Sequence, residues 1–168
     1  TKTDTMSLNT FKSPGKGALG IVDSNELLLF KNVAHRTFID TDIVENKVAL
    51  FKSGIGMDYT FINHAVDMGY KGIVIEAMGR GNIPPQMYEG VKYAREHGVV
   101  VVITSRCLLG RVYDSYGYLG SGRDLKNLGC IFAGDLNGHK SRIKLMLALG
   151  KTNNINEIKD YFEKGIYY

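Results

Sequence analysis

Few residues in this chain have the type and spacing to do chemistry. Gly79-Arg80-Gly81-Asn82 stand between an apolar run, residues 73–78, and the pair Pro84-Pro85. An asparagine amide both donates and accepts hydrogen bonds without carrying charge, so Asn82 could orient a polar ligand. Its plainer role is the N-cap of the helix that the prolines open. Lys2, in Thr1-Lys2-Thr3-Asp4-Thr5, is the other candidate, and by default a lysine in a polar loop is solvated. Gly15-Lys16-Gly17-Ala18-Leu19-Gly20 matches a dinucleotide-binding glycine spacing, which requires a strand before it and a helix after it. Here Pro14 and polar residues precede it. The apolar segments around Asp23-Ser24-Asn25 that follow predict a hairpin, so the cofactor reading is rejected. His35, His64, His97 and His139 lack metal-ligand spacing, and no serine, cysteine or threonine occupies a recognisable nucleophile turn. Cys107 and Cys130 lie in apolar contexts and read as buried reduced thiols.

The elements that must position these residues follow from periodicity. Residues 72–78 form a short apolar run bounded by glycine, which predicts a buried strand, and Pro84 starts a helix ending at Gly98. Val48-Ala49-Leu50-Phe51 and Cys130-Ile131-Phe132-Ala133 are further strands. The valines of 99–102 fit a strand buried on both faces. Asp58 can cap a helix through Phe61, Ile62, Ala65 and Val66. Ser121 or Asp124 opens a short helix, and Asn137 caps one apolar around most of its circumference, hence a buried helix. A last amphipathic helix carries Ile155, Ile158, Tyr161 and Phe162. Strands alternating with helices predict an α/β fold. It is a small, doubly wound parallel sheet of about four strands, flavodoxin- or Rossmann-like, over residues 47–168. Residues 1–46 read as a polar loop with one helical turn near 7–11, a hairpin and a linker. They lack the apolar surface to form a domain alone and are expected to be the tail of a larger N-terminal domain.

At 168 residues the chain can bury a core without disulfide or metal staples. Its net charge of +4 is mild and its lysines are scattered, which argues against a nucleic-acid partner. No apolar run approaches membrane-spanning length. A phosphate-accepting receiver domain would need acidic residues at the sheet's carboxyl edge, whereas the first strand runs into Phe51-Lys52-Ser53-Gly54. The chain opens on Thr1 rather than methionine and is expected to be a fragment or a processed piece.

Several stretches, taken in order, carry a resemblance. They are Thr1-Lys2-Thr3-Asp4-Thr5 with Thr10-Phe11-Lys12-Ser13, Gly17-Ala18-Leu19-Gly20-Ile21, and Gly72-Ile73-Val74 leading into Gly79-Arg80-Gly81-Asn82. Val101-Val102-Ile103-Thr104-Ser105-Arg106, Ala133-Gly134-Asp135-Leu136, Lys140-Ser141-Arg142-Ile143 and Leu147-Ala148-Leu149 complete the set. Together they resemble the C-terminal part of the L-asparaginase/glutaminase amidohydrolase family. The resemblance implies a two-domain enzyme that hydrolyses L-asparagine to L-aspartate and ammonia. Its threonine nucleophile, and a second Thr-Asp pair, would lie in an N-terminal domain absent here. Lys2 matches the catalytic lysine that helps activate the second threonine. Asn82 matches the substrate-binding asparagine lent to a neighbouring subunit's active site, so a homodimer or homotetramer with shared sites is implied. No cofactor, metal or membrane partner is expected, the substrate is a small amino acid, and the compartment is cytoplasmic. Some members also lend a glutamate. The corresponding segment here, residues 110–118, holds Asp114 but no glutamate, which leaves asparagine-versus-glutamine preference open. The alternative is a non-catalytic amino-acid-binding or self-assembly module.

Overall fold

The computed structural model describes residues 1–32 and 36–164, which leaves His35 outside the described residues. It divides into two compact units, Thr1–Thr37 and Phe38–Tyr168.

In the first unit, Lys2 bridges Phe11 in an antiparallel rung, flanked by bonds from Thr3 N–H to Thr10 O (2.9 Å) and from Lys12 N–H to Thr1 O (3.0 Å). The helical turn expected near residues 7–11 does not form. Asp4 captures the N–H groups of Met6 and Ser7, and the Thr10 hydroxyl donates back to the Asp4 carbonyl. Such local side-chain bonds compete with helix for the same backbone groups. The predicted hairpin is present. Strands β1 (Gly20–Asp23) and β2 (Glu26–Leu29) pair antiparallel around Ser24 and Asn25. Their φ values, 49° and 70°, are those of the primed turn that matches strand twist. The hairpin leaves Val22, Leu27 and Leu29 exposed.

In the second unit, β3 (Val48–Lys52), β4 (Gly72–Ala77), β5 (Val100–Ser105) and β6 (Ile131–Phe132) make one parallel sheet in the order β3-β4-β5-β6. Alternate side chains serve opposite faces. Ile73, Ile75, Ala77, Val101 and Ile103 pack with residues of α1 (Thr60–Asp67), α2 (Pro85–Glu96) and α3 (Gly122–Asn127). Val74, Val100 and Val102 pack instead with Leu145, Ala148, Ile158 and Phe162 of α4 (Gly138–Lys151) and α5 (Ile155–Glu163). Helices therefore cover both faces, as the α/β reading requires. Because the strand order never reverses, right-handed crossovers put α1–α3 on one side, and the described residues form no switch-point crevice. Ligand-facing groups must come from the loops at the carboxyl edge themselves.

Ser121 and Asn137 are the caps that the sequence suggests, accepting from Asp124 N–H (3.4 Å) and Lys140 N–H (3.3 Å). Asp58 accepts from Thr60 N–H (2.9 Å), although Tyr59 stands at the N-cap position of α1. Helix α4 is not buried all round. Only Gly138, Ser141, Leu145 and Ala148 are buried, and Ile143 is 56% exposed. An apolar count around a helix does not reveal that only one stripe meets the sheet.

Residues 38–46, which the sequence presents as linker, run along α4. Ile39 packs on the second core, Glu45 N–H donates to Met146 O (3.0 Å), and the Ile43 carbonyl abuts Gly150. A Cβ at Gly150 would overlap that carbonyl oxygen, a backbone atom that no rotamer change can move. Helix propensity alone favours alanine over glycine by about 1 kcal/mol. Overpacking opposes it by about 1–3 kcal/mol. Gly150→Ala is therefore expected to lower unfolding free energy in a denaturant titration. A gain of stability would show that the 38–46 strap yields freely.

Candidate functional site at the carboxyl edge of the sheet

The loop after β4 is closed by two backbone bonds, Met78 N–H to Asn82 O (2.8 Å) and Asn82 N–H to Met78 O (3.0 Å). Gly79 (φ 51°) and Gly81 (φ 115°) supply backbone conformations that side-chain-bearing residues rarely adopt. A Cβ at Gly81 would lie 3.4 Å from the Val112 side chain, so this turn is pressed onto the loop that follows β5. The Ser105 hydroxyl donates to Gly79 O (2.6 Å) from beneath. The loop is thus a fixed platform.

Asn82 is half-buried on that platform. The expected cap on α2 does not form, because α2 has Pro84 at its N-cap position and no side-chain cap bond. Ile83 intervenes, 1% exposed, with its N–H donating to Gly120 O (2.9 Å). This anchor turns Asn82 toward α3, where its Oδ1 accepts from Gly122 N–H at 3.3 Å. One amide oxygen thereby joins the β4 loop to the start of α3.

The second loop of the site, residues 106–120, is tied to the first. Tyr113 N–H donates to Arg80 O (2.8 Å), and Val112, fully buried, donates through its N–H to Gly134 O (3.0 Å). The guanidiniums of Arg80 and Arg111 lie 5.2 and 5.3 Å from the centre of the Tyr113 ring, within cation–π range. Gly79, Arg80, Cys107, Leu109, Gly110 and Arg111 line a depression of about 400 Å³ beside them. Asp114 is paired with Lys126 of α3 at 3.1 Å, and the hydrogen bond from that lysine holds its carboxyl below the usual range. Asp114 therefore serves α3 here. Cys107, expected to be buried, is exposed, because β5 ends at Ser105. Cys130 is buried as expected, which pushes its thiol up to about 12.

Lys2 belongs to the other compact unit. It is exposed and stands opposite Phe11 in the non-hydrogen-bonded position of its rung, the spacing at which facing side chains come closest. Thr3, Phe11, Lys12, Ser13, Pro14, Gly17 and Ala18 line an open depression of about 550 Å³ in this unit. Gly15-Lys16-Gly17 runs into β1, a strand rather than a helix, so it offers no helix N-terminus to a phosphate. Asp4 spends its carboxylate on two backbone N–H groups, which lower its pKa. The pairing of Arg80 with Arg111 over Tyr113 leaves no mark in the sequence. Nothing in an aperiodic loop signals which residue of a distant turn it will meet.

Among the described residues, no group of three or more His, Cys, Asp and Glu side chains could hold a metal ion, and no helix is long and apolar enough to cross a membrane. Known proteins share both the sequence and the fold. The chain is 34% identical over 161 residues to an L-asparaginase of Bacillus licheniformis, covering 96% of this chain and 49% of that protein. It is 42% identical over 118 residues to a glutamyl-tRNA(Gln) amidotransferase subunit of Pyrococcus furiosus, covering 70% of this chain and 26% of that protein. A structure described as a probable cytoplasmic L-asparaginase from Campylobacter jejuni superposes with a TM-score of 0.81 at 29% identity, covering 96% of this chain and 52% of that one. The chain thus spans about half, or less, of the length of these relatives. Residues 47–162, which contain the whole four-stranded sheet and both layers of helices, match the model of the glutaminase/asparaginase C-terminal domain, and the chain belongs to that family.

Proposed function

We propose that this chain is the C-terminal part of an L-asparaginase. In the whole protein, L-asparagine is hydrolysed to L-aspartate and ammonia by a threonine carried on an N-terminal domain. Lys2 assists the second threonine, that of the Thr-Asp pair, within its own subunit, and Asn82 reaches a bound amino acid in a neighbouring subunit of a homodimer or homotetramer. The observation that supports this best is the continuity of the asparaginase match. It extends over 161 residues, 96% of the chain, and so reaches beyond the α/β unit into residues 1–46. A fixed loop that presents an uncharged donor–acceptor amide at a carboxyl edge suits a role on a polar, net-neutral substrate. Residues 1–46 are then the end of the catalytic domain plus a linker, 47–168 the small domain, and the compartment is cytoplasmic.

A second reading has its own support. The amidotransferase relative from P. furiosus is more nearly identical over the stretch it shares, 42% against 34%. One experiment separates the two. The 168-residue chain, and a longer chain carrying an N-terminal catalytic domain before Thr1, are assayed for ammonia release from L-asparagine and L-glutamine. The short chain is expected to stay at background, because it lacks the nucleophile and the oxyanion donors. The longer chain is expected to turn over asparagine unaided. Asparagine turnover by the short chain would overturn its reading as a part. Ammonia release by the longer chain only when a second protein and a charged tRNA are supplied would favour the amidotransferase. Tight calorimetric binding of aspartate to the short chain would instead favour a non-catalytic amino-acid-binding module.

A further inference from the structure

The β4–β5 register ends at the pair Ala77 and Ser105, and past it the chain of β4 turns away through Gly79 (φ 51°) toward Asn82. The carbonyls along this exit all meet donors. Ala77 O accepts from Arg106 N–H (3.0 Å), Met78 O from Gly81 N–H (3.1 Å) and Asn82 N–H (3.0 Å), and Arg80 O from Tyr113 N–H (2.8 Å). Gly79 O accepts from the Ser105 hydroxyl at 2.6 Å, and among these bonds it is the one made by a side chain. The same hydroxyl oxygen accepts from Cys107 N–H at 3.1 Å, so it is engaged both as donor and as acceptor and cannot turn freely. Ser105 therefore carries the β4–β5 ladder one step beyond its last backbone pair.

We propose that Ser105 is a positioning residue for the reaction, its hydroxyl setting the tilt of the turn over residues 79–82 and with it the place of the Asn82 amide. The inference rests on the reading above, in which Asn82 acts on a bound amino acid. The antiparallel bridge between Met78 and Asn82 closes the turn, so its residues move as one body. The Ser105 hydroxyl ties that body to the end of β5, where Val101 and Ile103 are fully buried and hold the strand in the core. The bond itself is exposed, so water can serve Gly79 O once the hydroxyl is gone, and the folded state loses little. Precision is lost instead. A displacement of a reacting group by about 1 Å can cost roughly 10²-fold in rate.

The test uses the longer, active chain with Ser105→Ala, Ser105→Thr, Asn82→Ala and the variant combining Ser105→Ala with Asn82→Ala. The kcat and KM for L-asparagine and the melting temperature are measured for each. Ser105→Ala is expected to lower kcat roughly tenfold, with a smaller change in KM and little change in melting temperature. Ser105→Thr keeps a hydroxyl on the same carbon and should recover most of the loss. In the Asn82→Ala background the loss from Ser105→Ala should shrink below about twofold, because the group it places is no longer there. A merely structural role predicts the same loss in both backgrounds, and that result overturns the proposal. So does an unchanged kcat in Ser105→Ala. Asn82→Ala also separates the two failures. Unimpaired kinetics in that variant would bring down the lent-loop reading itself, whereas impaired kinetics there with a silent Ser105→Ala would bring down only the positioning role.

Discussion

Replacing Lys2 with methionine in the longer chain is expected to lower kcat/KM for L-asparagine by roughly 10²- to 10⁴-fold, the range of a positioned acid–base group. Methionine keeps the length and most of the volume of the side chain and removes only the ammonium. The backbone around it has no reason to change. The bonds that hold the rung run from Thr3 to Thr10 and from Lys12 to Thr1, and none of them uses the Lys2 side chain. Lys2 is exposed, so its truncation opens no cavity, and the melting temperature should stay within the error of the measurement. A purely solvated lysine would be kinetically silent as well. The role carried by the resemblance is different: the ammonium lowers the cost of charge in the proton relay that activates the second threonine, and a desolvated lysine can first lose its own proton and then, as the neutral amine, accept the threonine's. Steady-state kinetics with a parallel melting curve decide it. A loss smaller than tenfold returns Lys2 to the solvent.

How much of this is legible in the sequence depends on how local each feature is. The four parallel strands are legible because Ile73, Val74 and Ile75, and the valines of β5, face packed helices on both sides, so burial leaves no polar gap in the run. The hairpin is legible because Ser24 and Asn25 accept left-handed backbone without help from anything distant. The cap expected of Asn82 fails for a non-local reason. Ile83 is pinned by Gly120, and the asparagine is carried toward Gly122 at the start of a helix far along the chain. Cys107 reads as buried because its neighbours are apolar, but Leu108 and Leu109 beside it are themselves more than half exposed. The apolar side chains of α4 likewise exceed the surface the sheet can cover, which leaves Ile143 outside. The candidate site follows the same rule. Asn82 and Lys2 stand out within their own segments, and the Arg80–Tyr113–Arg111 group does not, since only the folded contact between two loops creates it.

Asn82 offers the sharper separation of structure from function, because its two roles use different parts of the amide. In this structure Oδ1 accepts from Gly122 N–H at 3.3 Å, a long bond to the start of α3. Asn82→Ala removes it and is expected to cost about 1 kcal/mol of stability. In the lent-loop reading the amide also supports the transition state of a neighbouring active site. Losing one positioned amide there is worth about 2–4 kcal/mol, a fall of roughly 30- to 1,000-fold in kcat/KM. Asn82→Asp divides these effects. A carboxylate keeps an acceptor oxygen for Gly122 N–H, so stability should recover most of the alanine loss. It has no N–H donor, so kcat/KM should stay as low as in the alanine variant. If Asn82→Asp instead restores both quantities together, the asparagine acts only by holding α3 in place. If stability recovers and catalysis does not, the N–H₂ group is acting on something beyond its own chain.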